Sequence, residues 1–142
     1  MGGASNGNYG HVALDANGVL FTANVPRSIT VATYSFGKIL SAATTNATSL
    51  KASAGSLFGW HLVNTSAAWK YFRFYNLSSA PTVGTSTPVF NIPLPPGGGA
   101  VMPPQMAIGF ATGIAYAITG AAADNDSTAV AANDVIGTLY YI

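Results

Sequence analysis

A chain of 142 residues is long enough to bury the core of one ordinary domain, and with hydrophobic residues at 49% it lacks the composition of a disordered segment. Charged residues make up only 6%, the four acids are all Asp, and the net charge is +1. This leaves little material for a basic nucleic-acid stripe or a pair of catalytic carboxylates, and little charge to keep a free monomer from associating. The absence of Cys excludes disulfides, thiolate metal sites and a Cys nucleophile.

The opening MGGASNGNYG has no basic stretch leading into an apolar run, so a signal peptide is not expected and synthesis in the cytosol is. Next comes HVALDA, then Asn17-Gly18, then VLFTAN. Asn-Gly supplies the two positive-φ positions of a type I′ turn, which predicts a hairpin. Folding it about that pair sets Leu14 opposite Phe21 and Val12 opposite Ala23 on one face, with His11, Asp15, Thr22 and Asn24 on the other. Residues 29–36, ITVATYSF, are β-branched and aromatic and predict a further strand, whereas 41–54 run polar and low in complexity and read as a connector.

From Ser56 onward strand follows strand: SLFGWHLV, AWKYFRFYN, TPVFNIPL, GIAYAIT and DVIGTLYYI, punctuated by Gly, Pro, Asn and Ser. Short apolar runs at this spacing predict an all-β fold, an antiparallel β-sandwich of jelly-roll-like or Ig-like kind carrying an N-terminal hairpin arm. Residues 1–43 are expected to form the arm and attachment segment, and residues 44–142 the sandwich, with 44–54 as its connector. Pro88 and Pro93 place the TPVFNIPL strand at a sheet edge or a bend, an edge that another chain or the N-terminal segment is expected to cover. Val101 to Ala123 is uncharged, but Pro103, Pro104, Gly109, Gly113 and Gly120 interrupt it, which argues against a membrane span. No helical stripe is present, although 129–134 could form one turn.

The acid–base inventory is His11, His61, Asp15, Asp124, Asp126 and Asp134. Alternation groups His61 with Leu57, Gly59 and Val63, opposite Phe58, Trp60 and Leu62, and a hydrogen-bonded structural His is the expectation. Asp124-Asn125-Asp126-Ser127 offers oxygen ligands but lacks the Gly and the distant Glu of a calcium loop, so a tight turn is expected there rather than a metal site. PPGGG, residues 95–99, is followed by no Lys-Ser/Thr and reads as a loop, not a phosphate cradle. Sequons begin at Asn46, Asn64, Asn76 and Asn125, as chance provides in a chain rich in these residues.

AWKYFRFYN has some of the basic-aromatic flavour of an RNA-recognition strand without its glycines. Alternation assigns Phe72 and Phe74 to the core and Trp69, Tyr71, Arg73 and Tyr75 to the other face. Tyr, Trp and Arg are residues favoured at interface centres, so these four, with Val12, Leu14 and Phe21 of the hairpin, form the candidate protein interface; a second sheet or a rim position for Arg73 is the alternative.

The span from Thr44 to Ile142 resembles a family of small virion proteins of tailed bacteriophages, through GWHLVN, YFRFYN, APTVGTSTPV, the Pro-rich Gly turn, FATGIAYAITG and the ending DNDSTAVAANDV. The resemblance implies a virion component without catalytic activity or cofactor. Two roles fit: a head decoration or cement protein, and a tail or fibre module that recognises a host surface. The first implies an outer-surface position on the head and, as partners, the major capsid protein and copies of itself, three at lattice threefolds, with neither nucleic acid nor membrane. The fibre reading would use Trp60, Trp69 or the Asp124–Ser127 turn to bind glycans.

Overall fold

The computed structural model describes residues 33–104 and 107–142, together with the backbone of two short strands, β1 (Ala13–Leu14) and β2 (Leu20–Phe21). The chain divides into two compact units, Met1–Val31 and Ala32–Ile142. In the first, β1 and β2 form the expected antiparallel hairpin in a different register: Leu14 pairs with Leu20, and Ala13, not Leu14, pairs with Phe21. A two-residue Asn17-Gly18 turn would shift this pairing by one; residues 15–19 lie outside the described residues. Val12, His11 and Asp15 lie outside the described residues, as do the side chains of Leu14 and Phe21.

The second unit contains β3 (Ser35–Leu40), β4 (Thr48–Lys51), β5 (Gly55–Asn64), β6 (Lys70–Asn76), β7 (Phe90–Leu94), β8 (Gly99–Met102), β9 (Ile108–Phe110), β10 (Ile114–Thr119) and β11 (Val135–Tyr141). Pairing is antiparallel throughout, and β6 pairs β7, β5 pairs β8, β4 pairs β10 and β3 pairs β11. The second half of this unit therefore retraces the first, like one long hairpin with its tip at residues 77–89, rolled up until β10 also meets β6 and β11 also meets β5. Two sheets result, β3-β11-β5-β8 and β4-β10-β6-β7, with β9 beside the first residues of β5. This strand order is that of a jelly roll, which selects between the two sandwich types the sequence leaves open.

Alternation builds the core between the sheets. Ile39, Leu57, Leu62 and Leu139 face inward from one sheet, and Phe72, Phe74, Leu94, Ile114 and Ile118 from the other. The aromatic rings interlock, with the Phe74 centroid 4.9 Å from that of Phe90 and 6.1 Å from that of Trp60. Burying one such side chain contributes about 2 kcal/mol, so this cluster supplies much of the driving force for closing the sandwich.

Several local expectations change. Of the strand expected over 29–36, residues 29–32 lie outside the described residues, and β3 runs from Ser35 on to Leu40 because the buried positions Gly37 and Ile39 keep the alternation going past Phe36. The polar connector contains β4, which is held by its ladder to β10 and by Leu50 packed on the core. Both β3 and β4 belong to the unit that starts at Ala32, so the sandwich begins upstream of residue 44. In β5 the pairing with β11 skips Phe58, and this bulge turns Leu57 inward with Trp60 and Leu62. β7 is an edge strand, as Pro93 requires. Residues 131–134 form a turn with Asn133 at φ 65°, and no helix occurs among the described residues. No described helix is long and apolar enough to cross a membrane; the uncharged run is divided among β8, β9 and β10.

Candidate protein interface

A sandwich has two outer faces, and here they differ in kind. On the four-stranded sheet, Tyr71, Arg73 and Tyr75 of β6 point away from the core beside Ala115, Ala117 and Thr119 of β10, each Ala lying directly opposite one of the large residues. The small side chains of β10 leave room for Arg73 and Tyr75 to lie flat, and Leu77 and Val83 close over Tyr75. Gly84 lies so near the 121–128 loop that an added Cβ would stand 3.2 Å from the Asn125 carbonyl oxygen, so the loop from the hairpin tip meets that loop.

Arg73 ties this roof down. Its Nε donates to Thr119 Oγ1 at 2.9 Å and its Nη2 to the carbonyls of Ala121 and Ala123 at 2.7 and 2.5 Å. Nη1 has a longer contact, 3.9 Å, to the exposed Asp124 carboxylate, which also accepts from Asn91 Nδ2 at 2.7 Å. Burial raises the Tyr75 hydroxyl above its ordinary pKa, against the opposing effect of the nearby Arg73 charge, while Asp124 pushes it further up. Arg73 and Tyr75 are therefore covered by the chain's own loops. Of the four residues assigned to this side, Trp69, 50% exposed just before β6, and the half-buried Tyr71 remain within a partner's reach.

The opposite outer face, on the five-stranded sheet, carries no such roof among the described residues. Three rows run across it: Phe36, Tyr140 and Gly59; then Lys38, Thr138, His61 and Val101; then Leu40, Ile136, Val63 and Gly99. Phe36, Leu40 and Val101 are 68%, 59% and 66% exposed. Phe36 packs edge-on against Tyr140 at 5.7 Å, and Tyr34 against Phe58 at 5.0 Å, which gives one corner an aromatic character. Lys38 is the single formal charge in these rows. His61 stands exposed in the middle and its imidazole makes no hydrogen bond among the described residues, contrary to the structural role expected for it. Strand alternation could have assigned these residues to one face, but which face would lack a cover depends on loops far away in sequence.

The remaining motifs are used within the fold. Both oxygens of Asp126 serve its own loop, Oδ2 accepting from Ala121 N at 2.9 Å and Oδ1 from Thr128 Oγ1 at 2.6 Å. Asp134 accepts from Lys70 Nζ at 2.8 Å and from Ala131 N at 2.9 Å. Asn64, the second sequon residue, is fully buried: its amide donates to the carbonyls of Ala68, Leu94 and Pro95 and its oxygen accepts from Ser66. It fastens the β5–β6 turn to the end of β7, where Pro95–Gly98 crosses between the sheets. No group of three or more His, Asp or Glu among the described residues is arranged to hold a metal ion. Comparison of the chain with protein-family models, with curated proteins and with solved structures found no match.

Proposed function

We propose that this is a non-enzymatic virion structural protein of a bacteriophage, a capsid decoration or cement protein that docks on the head lattice through the outer face of the β3-β11-β5-β8 sheet and stabilises it. The observation that carries the reading is the contrast between the two outer faces: one is roofed by the chain's own loops, the other is apolar, nearly uncharged and, among the described residues, bare. A monomer living free in solution gains nothing from exposing Phe36, Leu40 and Val101 on one flat surface, whereas a protein held against its neighbours does. The jelly roll recurs in viral capsid domains and in lectins alike, so the fold is neutral between head and fibre. The resemblance of residues 44–142 to phage virion proteins adds support from the sequence. In this reading the protein is made in the host cytoplasm, and its partners are the major capsid protein and copies of itself.

The fibre alternative has one feature in its favour, the half-exposed Trp69 beside the Lys70–Asp134 pair. It loses two of its proposed contacts, because Trp60 packs in the core and the Asp126 carboxylate is occupied by its own loop. The test is to tag the protein and locate it on particles by electron microscopy, then to add purified protein to heads lacking it and measure their thermal rupture. Label on heads and a raised rupture temperature are expected. Val101→Asp, at an exposed position of β8 far from the core, should abolish head binding while leaving the melting temperature of the free protein unchanged. Label confined to the tail tip, or binding to host glycans that Trp69→Ala removes, would overturn the decoration reading.

A further inference from the structure

The sandwich has four sheet edges, and three are blunted. β7 carries Pro93; β8 is four residues long and runs into Pro103-Pro104; β4 is four residues long, has an irregular ladder with β10 and ends in Lys51. β3 is different. It pairs with β11 over six consecutive residues without a shift, contains no Pro, and among the described residues has no ladder partner on its other side. Such an edge is a template for another strand, and natural sheets usually protect it.

We propose that β3 pairs with β3 of a second copy of this chain, joining the two β3-β11-β5-β8 sheets edge to edge. Antiparallel pairing of identical strands is isologous and closes at two copies, unlike the threefold arrangement the decoration reading first suggests. Residues directly opposite each other in a ladder lie on the same face, so near the middle of β3 two registers keep outer residues with outer residues. Centred on Lys38, the pairing would set Lys38 against the second copy's Lys38, a like-charge contact. Centred on Gly37, it sets Phe36 against the second copy's Lys38 on both sides of the axis, where the aliphatic stem crosses the ring and the ammonium stays in water.

Phe36 and Lys38 stand two residues apart on the same face, so each supplies what the other needs in the symmetry-related strand. This self-complementarity favours a second copy over an unrelated chain. A lone Lys on an edge strand ordinarily discourages pairing; here it selects one register. The inference does not rest on the virion reading, although joining two apolar outer faces would double the area available for docking.

The test is the oligomeric state of the full chain, measured by sedimentation and light scattering at concentrations up to about 100 μM. A dimer is expected. Phe36→Lys places like charges opposite each other twice per dimer and should weaken association at least about tenfold. Phe36→Asp, equally polar, should retain the dimer, and Phe36→Lys combined with Lys38→Asp should restore it. Phe36 and Lys38 are exposed and the chain has no Cys, so mixing Phe36→Cys with Lys38→Cys protein should yield the mixed disulfide in preference to either homodimer. A wild-type chain that stays monomeric, equal weakening by Phe36→Lys and Phe36→Asp, or a predominant Lys38→Cys homodimer would each overturn the proposal.

Discussion

Arg73 illustrates how one side chain can look like a binding residue and act as a structural one. Its position between Tyr71 and Tyr75 suggests an interface, but the guanidinium is spent on Thr119 and on the carbonyls of Ala121 and Ala123. Arg73→Ala should therefore cost about 3 kcal/mol in urea unfolding, since it leaves a cavity and strands buried acceptors, and amide exchange should accelerate over residues 120–128 before it does elsewhere. The fold's acid response is also local. The hydrogen bond from Lys70, followed by that from Ala131 N–H, holds the Asp134 carboxyl below its ordinary range; at Asp126, burial works upward but is outweighed by the Thr128 and Ala121 hydrogen bonds. Carboxyls with depressed folded-state values contribute stability that is present above the unfolded value and is lost as the pH falls through the folded one. The urea midpoint should hold steady around neutrality and drop below about pH 4, and Asp134→Asn should flatten that drop. At this scale the sequence was readable where alternation is strict: Phe72 and Phe74 fall in the core as the pattern of β6 demands. Arg73 could not be placed from β6 alone, because its cover comes from the small Ala115 and Ala117 and from residues about fifty positions downstream.

Elements were legible in proportion to how much apolar surface each one buries. The strands at β5, β6, β7, β10 and β11 stand out as β-branched and aromatic runs, and the edge position of β7 follows from Pro93. β4 was hidden because TSLK offers one apolar side chain, Leu50, and is held otherwise by its ladder. The bulge at Phe58 was hidden because a period of two has no means of announcing a skipped residue; it changes the side on which Leu57 lies while leaving His61 facing out. β11 is the element on which the five-stranded sheet depends, since it lies between β3 and β5. Within it Gly137 pairs with Leu62, and an added Cβ would run into the His61 backbone carbonyl. A backbone oxygen in a central ladder cannot swing aside as a side chain can. Gly137→Ala should cost on the order of 3 kcal/mol or more and lower the melting temperature by many degrees, whereas Gly109→Ala, with open space around its Cβ position, should have little effect; differential scanning calorimetry of the two variants makes the comparison.

At the scale of the whole molecule the decisive fact is that the first strand of the sandwich pairs with its last. β3 pairs with β11 across nearly the whole length of the unit, and β4 reaches β10 in the same way across the strands nested between them. This nesting is the part of the fold that local patterns leave open: each strand is visible singly, yet the choice between a jelly roll and an Ig-like sandwich lies in pairings between residues far apart in sequence. It also sets the folding kinetics. Loop-closure entropy predicts that β6 with β7, and then β5 with β8, should pair first near the hairpin tip, since closing the outer pairs demands long loops whose entropy is lost before their contacts form. Refolding should therefore take milliseconds to seconds rather than microseconds, a rate typical of β-sandwiches dominated by distant pairings. Trp60, packed against Phe74 and Phe90, is the natural probe, because its environment is completed only when the two sheets meet, whereas the half-exposed Trp69 should change much less. Stopped-flow fluorescence of Trp69→Phe protein should show the slow phase at nearly full amplitude. Conservative truncations in β11, such as Leu139→Ala, should chiefly speed unfolding, and those in β6, such as Phe74→Leu, should slow folding, if the roll closes from its tip outward.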